Sequence, residues 1–182
     1  MARVTPAADT DESSLIRAAA GGDQRAFEQL YRANVGRVYA LCLRMTADQM
    51  QAEECTQMAF VKAWQKLDTF QQRSALSTWL HRIAVNEVLA QKRSDKRRRN
   101  YLEVVEELPA GTDVDTRVEV SGSDVDIEQA LQSLPEGARQ VFVLCVIYGY
   151  THEETASTLD CAVGTTKAQL HRARKLLQAR LN

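Results

Sequence analysis

The chain has 182 residues, 45% of them hydrophobic, and a formal net charge of −1. That length holds one domain or two small ones with a packed core, and the near-neutral total excludes a general polyanion binder. The charge is unevenly placed, however: residues 92–99 are strongly basic and residues 103–126 strongly acidic, a pattern that implies separate surfaces for separate partners.

Helical periodicity dominates from the start, and strand signals are almost absent. A short first helix is expected over residues 12–20, stopped by Gly21 and Gly22. Asp23 can cap a long second helix reaching about residue 44, with Phe27, Leu30, Tyr31, Val35, Val38, Cys42 and Met45 on one face. A third helix is expected over residues 48–66, burying Ala52, Cys55, Ala59 and Ala63. Residues 67–75 read as a loop. Ser77 is expected to cap a fourth helix that carries Trp79, Leu80, Ile83, Ala84 and Val88 into the basic run.

Residues 100–125 break this pattern. Pro109, Gly111 and Gly122 punctuate an acidic, Val-rich stretch without sustained period, the composition of a flexible or partner-ordered linker. Its acids and turn residues argue against a strand. A second helical unit begins near residue 126, with Ile127, Ala130, Leu131 and Leu134 inward. Pro135 suits the first turn of the next helix, which buries Ala138, Val141, Phe142 and Cys145. The expected fold is therefore all-α: two small helical domains, residues 12–99 and 126–182, joined by a flexible acidic linker over 100–125.

The end of the chain is the most specific part. Gly149 is a natural stop for the preceding helix. Thr151 and Glu154 form the T-x-x-E pattern of a capping box, so a helix should run over residues 152–159 with Ala156 and Leu159 inward. Residues 160–163 form a short turn. Gly164 and Thr165 open a last helix in which Leu170, Ala173 and Leu177 mark a buried face and Lys167, His171, Arg172, Arg174, Lys175 and Arg180 a basic one. No acidic residue follows Cys161. This is a helix-turn-helix whose second helix suits the major groove of DNA. A solvated amphipathic helix pair is the plainer reading, but box, turn and uncompensated basic helix seldom coincide.

The cysteines Cys42, Cys55, Cys145 and Cys161 make no C-x-x-C, and His81, His152 and His171 lie apart from them. Neither a zinc spacing nor a disulfide framework is present, which fits free thiols in a reducing cytosol. Arg3, Asp9, Asp11 and Glu12 interrupt any signal-like apolar run. A cytoplasmic protein is expected, with no membrane insertion, metal or cofactor. An enzyme is not expected, because no paired carboxylates, nucleophile–base pair or phosphate loop can be assembled.

The first module carries a longer signature: 26-AFEQLY-31, 52-AEECTQMAF-60, Ala63-Trp64, 67-LDTF-70 and 78-TWLHRIAVN-86. These segments resemble region 2 of the extracytoplasmic-function (ECF) sigma factors. The second module resembles region 4 of the same family through Leu134-Pro135-Glu136, 150-YTHEE-154, 161-CAVGT-165 and 170-LHRAR-174. The resemblance covers nearly the whole chain except the first dozen residues and the linker.

It implies a bacterial transcription initiation factor whose partners are core RNA polymerase, through the β′ clamp helices and the β flap, and promoter DNA. In region 4 the resemblance places Thr165, Lys167, Ala168, His171, Arg172, Arg174 and Lys175 at the −35 element. Arg or Lys can bond guanine edges, while Arg174, Lys175 and the helix start at Thr165 suit phosphates. The family usually has Ser then Arg where this chain has Ala168 and Gln169, so a different base preference is expected. In region 2 it places Thr69, Phe70 and Gln71 around a flipped −10 base with Asn86 beside them, and Lys92 and Arg93 along the strand. Trp79 lies on an apolar helical stripe and reads as core.

Polymerase binding is expected at Glu53, Glu54, Gln57 and Phe60. The family's acidic motif is thinned there, with Gln51 and Met58 in place of acids. Thr56 lies inside the thinned patch. A phosphate on it would add roughly −1.5 to −2 charge, so a Ser/Thr kinase stands beside an anti-sigma factor as expected regulator, and an ordinary helical role for Thr56 as the simpler alternative. The acidic linker would suit a positive channel built for RNA. Two other readings remain: a helix-turn-helix regulator whose residues 12–99 sense or dimerise, and a helical protein that sequesters a partner.

Overall fold

A computed structural model describes residues 8–105 and 123–181, and every regular element among them is helical. The elements are α1 (Ala8–Ala20), α2 (Gln24–Thr46), α3 (Gln49–Lys66), a 3-10 turn (Leu67–Thr69), α4 (Leu76–Val105), α5 (Ser123–Gln132), α6 (Glu136–Phe142) with a π-helical turn (Val143–Ile147), α7 (His152–Leu159) and α8 (Val163–Leu181). The chain divides into two compact units, residues 1–43 with 48–87 and residues 44–47 with 88–182. The expected linker at 106–122 lies outside the described residues. Residues 100–105, assigned by composition to that linker, continue α4, and α5 begins at Ser123 instead of near residue 126.

In the first unit, α1 buries Ile16 and Ala19 and packs against the 3-10 turn. Gly22 takes a left-handed φ of 96° between α1 and α2, a conformation open to glycine at little cost. Asp23 Oδ1 then accepts from the N–H groups of Arg25 and Ala26 at 2.8 and 3.2 Å, which satisfies two of the orphan donors at the start of α2. Asp48 does the same for α3, accepting from Gln51 N at 2.9 Å. The inner face of α3 is Ala52, Cys55, Thr56, Ala59, Phe60 and Ala63. Four of these residues are small, and Leu41 and Cys42 of α2 are buried as well. Burial pushes the Cys42 thiol up to about 11 against a partly offsetting hydrogen bond with Thr56. Glu87 of α4 is buried with Lys62 of α3 as its ion-pair partner.

Several expectations fail in this unit. The first helix, α1, starts at Ala8 instead of residue 12. Ser77 does not cap α4. The helix already includes Leu76, and the N–H groups of Thr78 and Trp79 both bond to Ala75 O. Tyr31 is 38% exposed because its ring stands at the rim, edge-on to Phe60 with centroids 4.6 Å apart.

The core of the second unit is Ala130, Leu131, Leu134, Ala138, Ala173 and Leu177, with Phe142 packed at its edge. Pro135 precedes α6 as its N-cap, one position earlier than expected. Arg139 is buried and donates through Nη1 to Leu134 O at 3.0 Å and Gln132 O at 3.3 Å. It thereby satisfies carbonyls at the end of α5 that no helical donor reaches. Burial holds the Arg139 guanidinium below its usual range. The π-helical turn after α6 has Tyr148 N bonded back to Val143 O at 3.1 Å. Gly149, at φ 72°, then turns the chain into α7.

Candidate nucleic-acid interface

The capping box at α7 is complete. Glu154 N donates to Thr151 Oγ1 at 3.1 Å, and Thr151 N donates to Glu154 Oε2 at 2.9 Å. The helix spans His152–Leu159 and ends on Asp160 in the left-handed region at φ 53°. Thr155 and Thr166 are fully buried where α7 meets α8. Thr166 Oγ1 donates to Val163 O at 2.8 Å. Having given its one proton there, the hydroxyl accepts from His152 Nδ1 at 3.0 Å. A side chain at the start of α7 thus fixes the first turn of α8.

With that turn fixed and Thr166, Leu170, Ala173 and Leu177 buried, the outward face of α8 follows from about 100° per residue. Ala168, His171, Arg172 and Lys175 lie near its centre, with Lys167 and Arg174 on one flank and Thr165 on the other. All seven are exposed. The Thr165 N–H is bonded to Ala162 O at 2.9 Å, so its side chain, not its amide, is available to a phosphate. The helix supplies cations and a methyl group on a surface with no acid among its residues, as a major-groove reader requires.

In the first unit, Phe70 is half-buried and packs on Trp79, with ring centroids 5.0 Å apart and planes tilted by 34°. Thr69 Oγ1 donates to Lys66 O at 2.7 Å. Gln71, Gln72, Arg73 and Ser74 are exposed beside these rings, with Gln72 at φ 52°. Asn86 is exposed on α4, seven residues after Trp79 and four after exposed Arg82, on the same face of the helix. Exposed Arg93 follows Asn86 at a further seven. Lys92 is engaged elsewhere: its Nζ lies 2.7 Å from Glu136 Oε1 and 3.4 Å from Gln140 Oε1 within the second unit. On α3, Glu53, Glu54 and Gln57 are exposed, while Phe60 and Thr56 are each 5% exposed.

Residues 30–98 match the family described as Sigma-70 region 2, and residues 124–177 match Sigma-70 region 4. The chain is 33% identical over 165 residues to the ECF RNA polymerase sigma factor SigE of Mycolicibacterium smegmatis, covering 87% of this chain and 64% of that protein. It is 31% identical over 173 residues to the ECF RNA polymerase sigma factor SigW of Bacillus subtilis, covering 88% of this chain and 91% of that one. The chain belongs to the ECF RNA polymerase sigma factors. Among solved structures, the sigma factor RpoE of Bartonella quintana, crystallised with the anti-sigma factor NepR, superimposes with a TM-score of 0.58 at 28% identity, over 85% of this chain and 96% of that chain.

Against that family pattern, the structure of this sigma factor corrects several residue assignments. Thr56 faces inward, and its Oγ1 donates to Ala52 O at 2.6 Å. In the folded helix a kinase has no access to that hydroxyl, which counts against regulation by phosphate there. Phe60 supports the α3 surface from beneath and does not stand on it. Lys92 is paired with Glu136, so its charge is partly offset. Gln169 is half-buried against Gly137 of α6, where an added Cβ would meet its side-chain amide nitrogen at 3.5 Å. Its side chain thus lies towards α6, whereas Ala168 is exposed. Exposed Arg82 joins Asn86 on its face of α4, a spacing of four that the sequence also shows. Among the described residues no group of acidic, histidine or cysteine side chains is arranged to hold a metal, and no helix is long and apolar enough to cross a membrane.

Proposed function

We propose that this sigma factor docks on core RNA polymerase through the outer face of α3 around Glu53, Glu54 and Gln57. It reads a −35 element with Thr165, Lys167, Ala168, His171, Arg172, Arg174 and Lys175, and opens a −10 element around Phe70, Gln71 and Asn86. The observation that carries this reading is the recognition helix: an exposed, acid-free basic face whose first turn is fixed by buried Thr166 and His152. The loop at Phe70 supports the second half, because exposed amides beside two contacting rings suit bases that have left the stack. Arg82 and Arg93 lie along the path such a strand would take. Phosphoryl transfer remains the polymerase's chemistry, and the protein acts in the cytoplasm where that polymerase works. The RpoE relative was crystallised with an anti-sigma factor, and a partner of that kind is the regulator proposed here.

The test is run-off transcription with purified core polymerase and a pool of promoters. A discrete set of transcripts absent from core alone is expected. Transcripts indistinguishable from the core-only background would refute the reading.

A further inference from the structure

Eight large apolar side chains are exposed among the described residues, and Tyr31, Met50, Met58, Val61 and Trp64 account for five of them. Four of these five are on α3. Met50, Glu54, Gln57, Val61 and Trp64 follow one another at spacings of four, three, four and three, the 3.5-residue period with which one helix packs along another. The seam is open to solvent: Met50 is 70% exposed and Val61 47%, with Met58 also 47% exposed at its edge. It is also rigid. Trp64 is held edge-on by Phe27 with centroids 4.8 Å apart, and Tyr31 by Phe60. Single exposed apolar residues need no explanation, but Met58, Val61 and Trp64, clustered at spacings of three, mark an interaction surface, with Met50 beyond the polar Glu54 and Gln57. Its centre is acidic, with Glu54 on the seam and Glu53 beside it, so a fitting partner is a helix that offers a cation between two apolar ends.

We infer that core polymerase is held on this seam chiefly by apolar contact, with Met50 at one end and Met58, Val61 and Trp64 at the other, and that Glu54 orients the partner more than it binds it. The inference rests on the polymerase-docking reading above, because the seam is continuous with Glu53, Glu54 and Gln57 and its charge suits a basic helix. It explains how the chain does without acids at Gln51 and Met58. Apolar burial replaces charge, and Met at an exposed edge adapts to a partner's shape. It also makes a distinctive prediction. Exposed charge pairs fade as salt shortens the Debye length from about 10 Å at 0.1 M to about 3 Å at 1 M, whereas apolar contact does not.

The experiment measures binding of the full chain to purified core polymerase at about 0.1 and 0.5 M salt. The proteins are wild type, Met50→Gln with Val61→Gln, Glu54→Gln, and Met58→Glu. Each substituted side chain is exposed, and matching thermal midpoints confirm that the variants fold. The apolar double variant is expected to lose about tenfold or more in affinity at both salt concentrations. Glu54→Gln should lose only about two- to threefold, and only at low salt. Met58→Glu should make binding more salt-sensitive than wild type. The inference is overturned if the double variant binds like wild type, or if wild-type affinity falls with salt as steeply as a charge-driven complex. Wild type that fails to bind core at either salt concentration overturns the polymerase reading itself, a separate result.

Discussion

Thr56 Oγ1 lies 2.6 Å from the carbonyl oxygen of Ala52, one turn earlier in α3, on the side of the helix that faces Cys42. Thr56→Ala removes this bond, to a carbonyl that the helix already satisfies, and the weaker one with the Cys42 thiol, so it should cost only about 0.5–1.5 kcal/mol. Thr56→Glu places a carboxylate in the same buried site and should cost about 2–4 kcal/mol. Urea denaturation of the two variants checks the contrast. Equal, small losses would show that the side chain swings outward and would reopen phosphorylation at this position.

Two adjacent residues of α8 differ in their surroundings. Ala168 is exposed and central on the outward face, whereas Gln169 is turned towards Gly137. Ala168→Ser should change which −35 base is preferred, as judged by selection from a randomised element with the polymerase complex. Gln169→Arg should leave the selected sequence unchanged if the side chain at this position packs towards α6, and a changed base preference would show that it reaches DNA. Within the basic face, Arg172→Ala should cost about 1–3 kcal/mol at its own base position if it bonds a guanine edge. Lys175→Ala on a phosphate should weaken all sequences alike and reduce the salt slope by about 1.

The capping box that organises this unit offers a separate measure. Thr151→Ala removes the acceptor for Glu154 N and should destabilise the fold by about 1 kcal/mol. Thr151→Ser should restore most of the loss, since its hydroxyl reaches the same amide. Guanidinium denaturation curves for the three proteins decide it. A serine variant as unstable as the alanine variant would show that packing of the threonine methyl, and not the cap, matters.

What the sequence disclosed about this chain follows from how local each feature is. The helix at His152–Leu159 was readable to the residue because both of its limits are set by neighbours, the box at Thr151 and the left-handed Asp160. The inward turn of Thr56 was also readable. It stands four residues after Ala52 and three before Ala59, on the apolar stripe, but its place within an acidic motif drew it outward. The half-burial of Gln169 was readable in the same way, since it lies three residues after buried Thr166 and four before buried Ala173. The start of α4 at Leu76 and the π-helical turn after Phe142 carry no cap or breaker residue that marks them, and the pairing of Lys92 with Glu136 joins residues distant in sequence. No local pattern announces them.

His81 gives the fold a dependence on pH. It is half-buried on α4, and burial, reinforced by the charge of Arg82, holds its imidazole below the ordinary value of 6.5. A depressed histidine value means that the unfolded chain binds the proton more readily than the folded one. Its contribution is therefore fully present above about pH 6.5 and is lost as pH falls from there towards the lower folded value. Wild type should lose stability between about pH 7.5 and 5.5 by more than His81→Gln does. Parallel losses in the two proteins would assign the acid sensitivity to other groups.

Opening of promoter DNA provides the last test, and it turns on Asn86. Phe70 already packs on Trp79, so its ring is partly occupied by the protein, whereas the Asn86 amide is exposed one turn beyond Arg82 on the face that leads away from those rings. An amide bonded to an unpaired base contributes only after the duplex has opened, and a net hydrogen bond of this kind is worth about 0.5–1.5 kcal/mol. Asn86→Ala should thus leave core binding and −35 recognition intact while reducing the open fraction by about three- to tenfold. Arg82→Ala, which removes a cation from the strand's path, should weaken opening as well, and its defect should deepen with added salt. Permanganate reactivity of thymines across the −10 element, measured on stable polymerase–promoter complexes, separates these outcomes. If Asn86→Ala opens DNA as fully as wild type, the amide lies off the path of the melted strand, and recognition of the flipped base rests with Gln71 and its neighbours in the loop.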